Sequence, residues 1–317
     1  MEILMFSFNA TMPIVLFMAL GLFSRHLKII ELETAKKLNN FCFQILLPAL
    51  VFYNIYRIDF QTEFSADLII FACIAHVGVI LALCFIFFPA MKDKAKAATF
   101  VHICYRSNHS MFGIAVVQNM FGEAGSRAAM MLLLPTVILF NFAAVVLLSY
   151  AQVKENTSTA AMLKEVGVNV LKNPLIVTCV FTILLALSPL SLPFFLYSTV
   201  RSVASVTIPF CLIVFGVQID FKSLRSNMRT VLALSFARLV IVPFVMTCVA
   251  ILAGFRGIEL AALFSFYAAP VATAVSIMAY KYDVYPDLST QALTITSAFC
   301  GFTIFAGISI LRYLQFF

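Results

Sequence analysis

Charge is scarce in this chain: 11% of its 317 residues are Asp, Glu, Lys or Arg, where a soluble domain carries about 25%. With 63% hydrophobic residues, that deficit points to lipid as the solvent. None of the 14 acids falls in the middle of an apolar run. A cation/proton antiporter normally needs a buried carboxylate to hold Na⁺ or H⁺, so that class is disfavoured. The eight cysteines form no CxxC pair and no metal-like spacing. Most stand inside apolar runs, where a thiol behaves as a small hydrophobe, so neither a structural disulfide nor a metal site is expected. Tryptophan is absent, and the 34 phenylalanines read as core or lipid-facing rather than as a binding box. Paired carboxylates, an HExxH motif and a Ser/Lys dyad in facing spans are all missing, so no catalytic residue and no enzyme are expected.

What is present is a series of apolar runs. A span needs roughly 20 apolar residues. Helices are expected at about 5–24, 38–56, 67–90, 98–121, 128–150, 173–189, 196–218, 229–253, 259–280 and 289–313. This gives an all-α integral membrane protein of ten transmembrane helices. The lysines test that count: Lys28, Lys36, Lys37, Lys92, Lys94, Lys96, Lys154, Lys164, Lys172, Lys222 and Lys281 all fall on one side. Short cytoplasmic loops retain Lys and Arg, so that side is the cytoplasm and both termini lie outside it. The first segment is not a secretory signal, because its positive flank (Arg25, His26, Lys28) follows the apolar run. The net charge of +7 is spread over short loops with no basic stripe, which disfavours nucleic acid as a partner.

A polar connection at 151–172 divides the chain into 1–150 and 173–317, five helices each. An odd number per half forces opposite orientations, so the halves read as two inverted repeats. At an offset of 161, Pro13 maps onto Pro174, Pro48 onto Pro209, and the segment around Asn108 onto Ala269-Pro270. Matched prolines mark matched bends. Such repeats are common in secondary transporters, whose sites lie at the repeat interface near the midplane.

The fourth and ninth helices are the least regular. The fourth carries Tyr105-Arg106-Ser107-Asn108-His109-Ser110 up to Gly113; the ninth carries Ala268-Ala269-Pro270-Val271-Ala272-Thr273. Non-helical backbone at that depth is tolerated only where it packs in protein or lines a cavity. If both helices break and cross, their half-helix amino termini offer partial positive charge and free N–H groups to an anion. Arg106 lies about 12 Å from the cytoplasmic end of its helix. Arg238 and His76 reach similar depth, and mid-membrane ionisable groups are functional suspects. For Arg238 a bond to helix carbonyls and a direct role are both open; His76 reads better as a satisfied neutral histidine. His102 and His109 bracket the polar cluster, and a histidine could take a proton near neutral pH.

In order along the chain, Leu38-Asn39 to Leu47-Pro48-Ala49-Leu50-Val51-Phe52, Arg106-Ser107-Asn108 to Phe112-Gly113, Asn173-Pro174, Ile208-Pro209 to Gly216, Arg238-Leu239-Val240 to Pro243 and Ala269-Pro270 to Lys281-Tyr282 resemble the auxin efflux carrier family. That family includes plant auxin carriers and bacterial malate or malonate permeases. The resemblance implies an architecture like the bile acid–sodium symporters, with a scaffold of helices one, two, six and seven. Helices three to five and eight to ten would form a transport unit moving like an elevator. It implies a homodimer through the scaffold, and substrate contacts at Asn108 and its neighbours, at Ala269, Pro270 and Thr273, and at Leu47 and Val51. One departure is Ala115, where many relatives have proline, so the fourth helix is expected to break less sharply.

The favoured reading is a carrier of small organic anions in the plasma membrane, a bacterial inner membrane. It needs no cofactor, and proton coupling is favoured over sodium. The competing readings are a sodium-coupled symporter of larger amphipathic anions and a membrane sensor or assembly protein. The orientation is testable directly. A cysteine placed at position 2 is expected to react with a membrane-impermeant maleimide in intact cells, and protection until permeabilisation would overturn the topology.

Overall fold

The computed structural model describes residues 2–58, 64–151, 164, 167–168, 171–220 and 228–317. Most of the connection expected at 151–172, with Lys154, and also Lys222 and Arg225, lies outside them. Lipid offers no hydrogen bonds, so apolar segments satisfy their backbone internally as helices. Among the described residues the fold is all helical, apart from one isolated antiparallel bridge.

Helix α1 spans Glu2–His26; α2 (Leu32–Phe41) passes through a π turn, Cys42–Leu46, into α3 (Leu47–Tyr56). Next come α4 (Ala66–Ala90) and α5 (Lys94–Tyr105), then a π turn at His109–Gly113 leading into α6 (Ile114–Met131), then α7 (Leu133–Ala151). The second half holds α8 (Pro174–Ala186), α9 (Phe194–Gln218), α10 (Met228–Phe236), a π turn at Ala237–Ile241 and α11 (Val242–Leu252). It ends with α12 (Gly257–Ala268), α13 (Thr273–Lys281) and α14 (Pro286–Tyr313). Among the described residues, six continuous helices are long and apolar enough to cross a membrane: Glu2–His26, Leu32–Tyr56, Ala66–Ala90, Phe194–Gln218, Met228–Leu252 and Pro286–Tyr313. Helix covers most of each stretch where it was expected, but the second starts six residues early, at Leu32, the helix through Ile114 runs on to Met131, and the fourth and ninth stretches are interrupted at Arg106–Asn108 and Ala269–Ala272.

The helix ends follow local chemistry. Asp93 accepts from the Lys96 N–H at 3.0 Å, and Asn173 Oδ1 accepts from Leu175 N–H at 2.9 Å ahead of Pro174. Such caps satisfy amide donors that a helix start leaves free. Gly122, at φ 62°, kinks α6 where the fourth span was expected to end. Arg201 stands seven residues inside α9 and is exposed.

The halves repeat in their lengths. Leu32–Tyr56 and Phe194–Gln218 are both 25 residues, as are Ala66–Ala90 and Met228–Leu252. Both pairs are offset by 162 positions (32 and 194, 66 and 228). Lys94–Tyr105 and Gly257–Ala268 are both 12 residues long, and each ends at a break. Pro48 and Pro209, 161 apart, agree with this register to one residue. Pro13 and Pro174 do not occupy equivalent places: Pro13 is inside α1, whereas Pro174 opens α8.

Buried apolar side chains form two clusters. One joins α1, α3, α8 and α9 with α6 and the later part of α14; the other joins α4, α5, α7, α10, α11 and α13. Within the first, α1 and α9 meet backbone to backbone. A Cβ on Gly21 would overlap the Ile213 carbonyl, and one on Gly216 would overlap the Met18 carbonyl. Small residues at such crossings are what permit close helix packing in lipid. At the far end of α3, Arg57 donates to Glu123 at 2.5 Å and to Tyr53 Oη at 2.7 Å. The Arg57 bond holds the Glu123 carboxyl below its ordinary range.

Gly21→Ala and Gly216→Ala are each expected to destabilise the purified protein by roughly 1–3 kcal/mol through overpacking. Thermal unfolding in detergent measures this, with Gly78→Ala, where an added Cβ meets nothing within 4 Å, as the control.

Candidate functional site

Two helices break at the centre of the molecule. α5 ends at Tyr105, and Arg106 turns to φ −84°, ψ 100°. Ser107 and Asn108 follow, residues whose side chains compete with helical bonding. α12 ends at Ala268, and Ala269 takes φ −60°, ψ 147°, the extended conformation that a following proline imposes. The two extended segments then pair with each other. Asn108 N–H donates to the Pro270 carbonyl at 2.8 Å, and Ala272 N–H to the Arg106 carbonyl at 3.2 Å, around an antiparallel bridge between Ser107 and Val271. Thr296 Oγ1, from α14, accepts from Val271 N–H at 3.2 Å. Ala115 does not prevent the break, because the chain leaves the helix nine residues earlier, at Arg106; Ala115 lies in regular helix.

Beyond the crossing both chains resume helix, at His109 and at Thr273, and neither start has a side-chain cap. Both starts line a cavity of about 500 Å³, through Asn108, His109 and Ser110 on one side and Ala272, Thr273 and Ala274 on the other. Arg106, Ser107, Lys36, Lys172 and Lys281 also line it, and among the described residues no Asp or Glu does. Arg106 is 7% exposed. Its guanidinium donates to Asn141 Oδ1 at 3.1 Å, contacts Met278 Sδ at 3.0 Å and lies 5.9 Å from the Phe140 ring centre. Ser107 Oγ and Asn39 Oδ1 are buried without a hydrogen-bond partner among the described residues. The Asn108 amide makes only a 3.8 Å contact to Met111 Sδ. Positive charge and uncapped helix starts, with no lining carboxylate, form a surface complementary to an anion.

Of the residues singled out from sequence, Arg106, Ser107, Asn108, His109, Ser110 and Thr273 meet at this cavity. Ala269 and Pro270 do not line it; they are buried in the crossing itself. Leu47 and Val51, expected as substrate contacts, do not line it: each is 1% exposed and packed in the first core cluster. The cavity lies nearer the start of that helix, where Lys36, Asn39, Asn40, Phe43 and Gln44 form the wall. His109 is 2% exposed, with Nε2 bonded to the Ala129 carbonyl at 2.9 Å. His102 packs beside the Tyr105 ring, 5.6 Å between centres. His76 is fully buried among Tyr105, Phe140, Phe266 and Tyr267, and neither ring nitrogen has a partner among the described residues. It is therefore enclosed but not satisfied, against the expectation. Arg238 is fully buried and donates to the carbonyls of Ala269 (2.7 Å) and Cys104 (3.4 Å); carbonyl bonding is the arrangement it adopts.

Sequence reasoning missed Asn141 and Gln44. Asn141 was visible as the lone polar residue in Leu139-Phe140-Asn141-Phe142. It fixes the Arg106 fork, so Asn141→Leu is expected to weaken anion binding about tenfold, the usual loss of a charge-assisted hydrogen bond. The measurement is the concentration of malonate or a related anion needed to raise the Tm of the purified variant.

The family model described as membrane transport protein matches residues 6–306. An uncharacterized transporter of Methanocaldococcus jannaschii is 23% identical over 303 residues, covering 93% of this chain and 96% of that protein. An uncharacterized transporter of Methanothermobacter thermautotrophicus is 21% identical over 301 residues, covering 92% and 94%. With the match running almost end to end, the chain belongs to the membrane transport protein family, that of the auxin efflux carriers its motifs resemble.

Proposed function

We propose that this transporter carries small organic anions, a dicarboxylate or an auxin-like monocarboxylate, across the plasma membrane. The observation that carries this reading is the charge of the cavity wall: Arg106, Lys36, Lys172 and Lys281 line it, and among the described residues no carboxylate does. The uncapped helix starts at His109 and Thr273 add oriented N–H groups. Arg106 supplies long-range potential and Asn108 a direct hydrogen bond to the substrate.

Ten crossings in two inverted five-helix repeats fit the equal helix lengths and the common offset of 162. The scaffold helices α1, α3, α8 and α9 share the first core cluster, into which α6, α12 and α14 of the transport unit also pack, and the cavity lies between the α2 and α8 side and the α7 and α13 side. On this reading the transport unit slides against the scaffold as an elevator, and the scaffold pairs two copies. Both termini lie outside the cytoplasm, and Lys36, Lys172 and Lys281 mark a cytoplasmic mouth. The carrier needs no cofactor; proton-linked or passive movement is favoured over sodium coupling, since no carboxylate lines the cavity.

Counterflow of radiolabelled malate, malonate and indole acetate in proteoliposomes is the test. Asn108→Ala and Arg106→Lys are each expected to lower uptake at least about tenfold, because a point charge does not replace a planar fork. Unchanged uptake in Asn108→Ala and Arg106→Ala would remove this site from consideration.

A further inference from the structure

Breaking a helix strands carbonyls as well as amides. The Cys104 carbonyl would ordinarily accept from Asn108 N–H, four residues on, but that donor goes to Pro270. The Ala269 carbonyl would accept from Thr273 N–H, which instead opens α13. The crossing therefore strands carbonyls at the end of each broken helix, those of Cys104 and Ala269 among them, in the buried interior. Both point at one side chain. Arg238 Nη2 donates to Ala269 O at 2.7 Å and Nη1 to Cys104 O at 3.4 Å. Arg238 comes from a third segment, the π turn Ala237–Ile241 between α10 and α11. It is 0% exposed, and among the described residues no carboxylate pairs with it.

A buried guanidinium without an acid needs another source of negative potential. The carboxyl ends of α5 and α12 supply it, each carrying the negative end of a helix dipole. In other carriers with broken helices, such ends and their unwound carbonyls coordinate a free cation. We propose that Arg238 is a built-in cation in that place. It ties the two helix ends together and makes the crossing independent of any dissociable metal ion. Arg238 is a positioning residue: it acts on the anion site through the backbone of Asn108 and Thr273, which it does not touch. For its bearing on coupling, this inference rests on the carrier reading above.

The test is chemical rescue. Arg238→Ala is expected to lower the Tm of the detergent-purified protein by roughly 5 °C or more. Guanidinium chloride at low millimolar concentration should restore most of it, while KCl at equal ionic strength should not, and the wild type should respond to neither. Arg238→Met, of similar length without charge, should behave like Arg238→Ala. Arg238→Met at the wild-type Tm, or equal guanidinium effects on variant and wild type, overturns the inference. Where Arg238→Ala yields no monodisperse protein, Arg238→Lys decides. Retained charge predicts recoverable protein of intermediate Tm, and a lysine variant as unrecoverable as alanine overturns it. Wild-type anion flux with Na⁺ fully replaced by N-methylglucamine should be undiminished. The thermal arm does not need transport. Rescue without any wild-type flux would sink the carrier reading and leave the built-in cation standing; flux that requires Na⁺ would overturn the built-in cation and leave the carrier reading intact.

Discussion

Backbone groups released inside a membrane have no water to turn to, and the rest of this structure depends on how two breaks settle that debt together. Arg106–Asn108 and Pro270–Ala272 exchange two main-chain hydrogen bonds, and Thr296 takes the amide of Val271 that remains. The carbonyl ends face Arg238 and the amide ends face the cavity. A single crossing thus sorts partial charge in space, with negative ends toward a fixed cation and positive ends toward the open volume. Either break alone would strand unpaired polar groups in hydrocarbon, at a cost of several kcal/mol each.

The same sorting runs through the side chains. Among the described residues the cavity wall holds Arg106, three lysines and no acid, while the ion pairs stand at the periphery. Arg25 meets Asp220 at 3.3 Å at the end of α1 and α9, and Arg57 meets Glu123 at 2.5 Å at the end of α3. Lys36 and Arg57 are 21 residues apart in the helical stretch Leu32–Tyr56 and its cap, about 31 Å along the axis. The Arg57–Glu123 pair is therefore remote from Lys36, at the other end of a single long helix, whereas Arg25–Asp220 and Lys37–Glu33 stand at the same end as Lys36.

Much of this was legible from residue type. Pro270 forces the residue before it to be extended, and Arg106-Ser107-Asn108 is too polar to be left helical in lipid, so both breaks could be located by eye. The apolar runs located the helices for the same reason: spanning length and backbone satisfaction leave little choice. The three π turns at Cys42, His109 and Ala237 were not legible, because one extra residue in a turn has no compositional mark. A resemblance likewise gives the helix but not which of its turns lines this cavity, and Leu47 and Val51 lie in the first core cluster. Asn39 and Gln44 form the wall instead. The environment of His76 was hidden because its four aromatic neighbours come from α5, α7 and α12, far apart in sequence.

The pairing at the centre is made entirely of main chain. Ser107 and Val271 sit opposite each other, yet neither side chain takes part in holding the two segments together. Ser107 lines the cavity while Val271 is fully buried, so substitution at Ser107 changes the chemistry on display without removing a main-chain bond of the frame. Relatives that diverge to about a fifth identity can keep one crossing and present different surfaces around it. Such an architecture lets descendants acquire new cargo through point changes at the rim, without first inventing a new way to cross a bilayer.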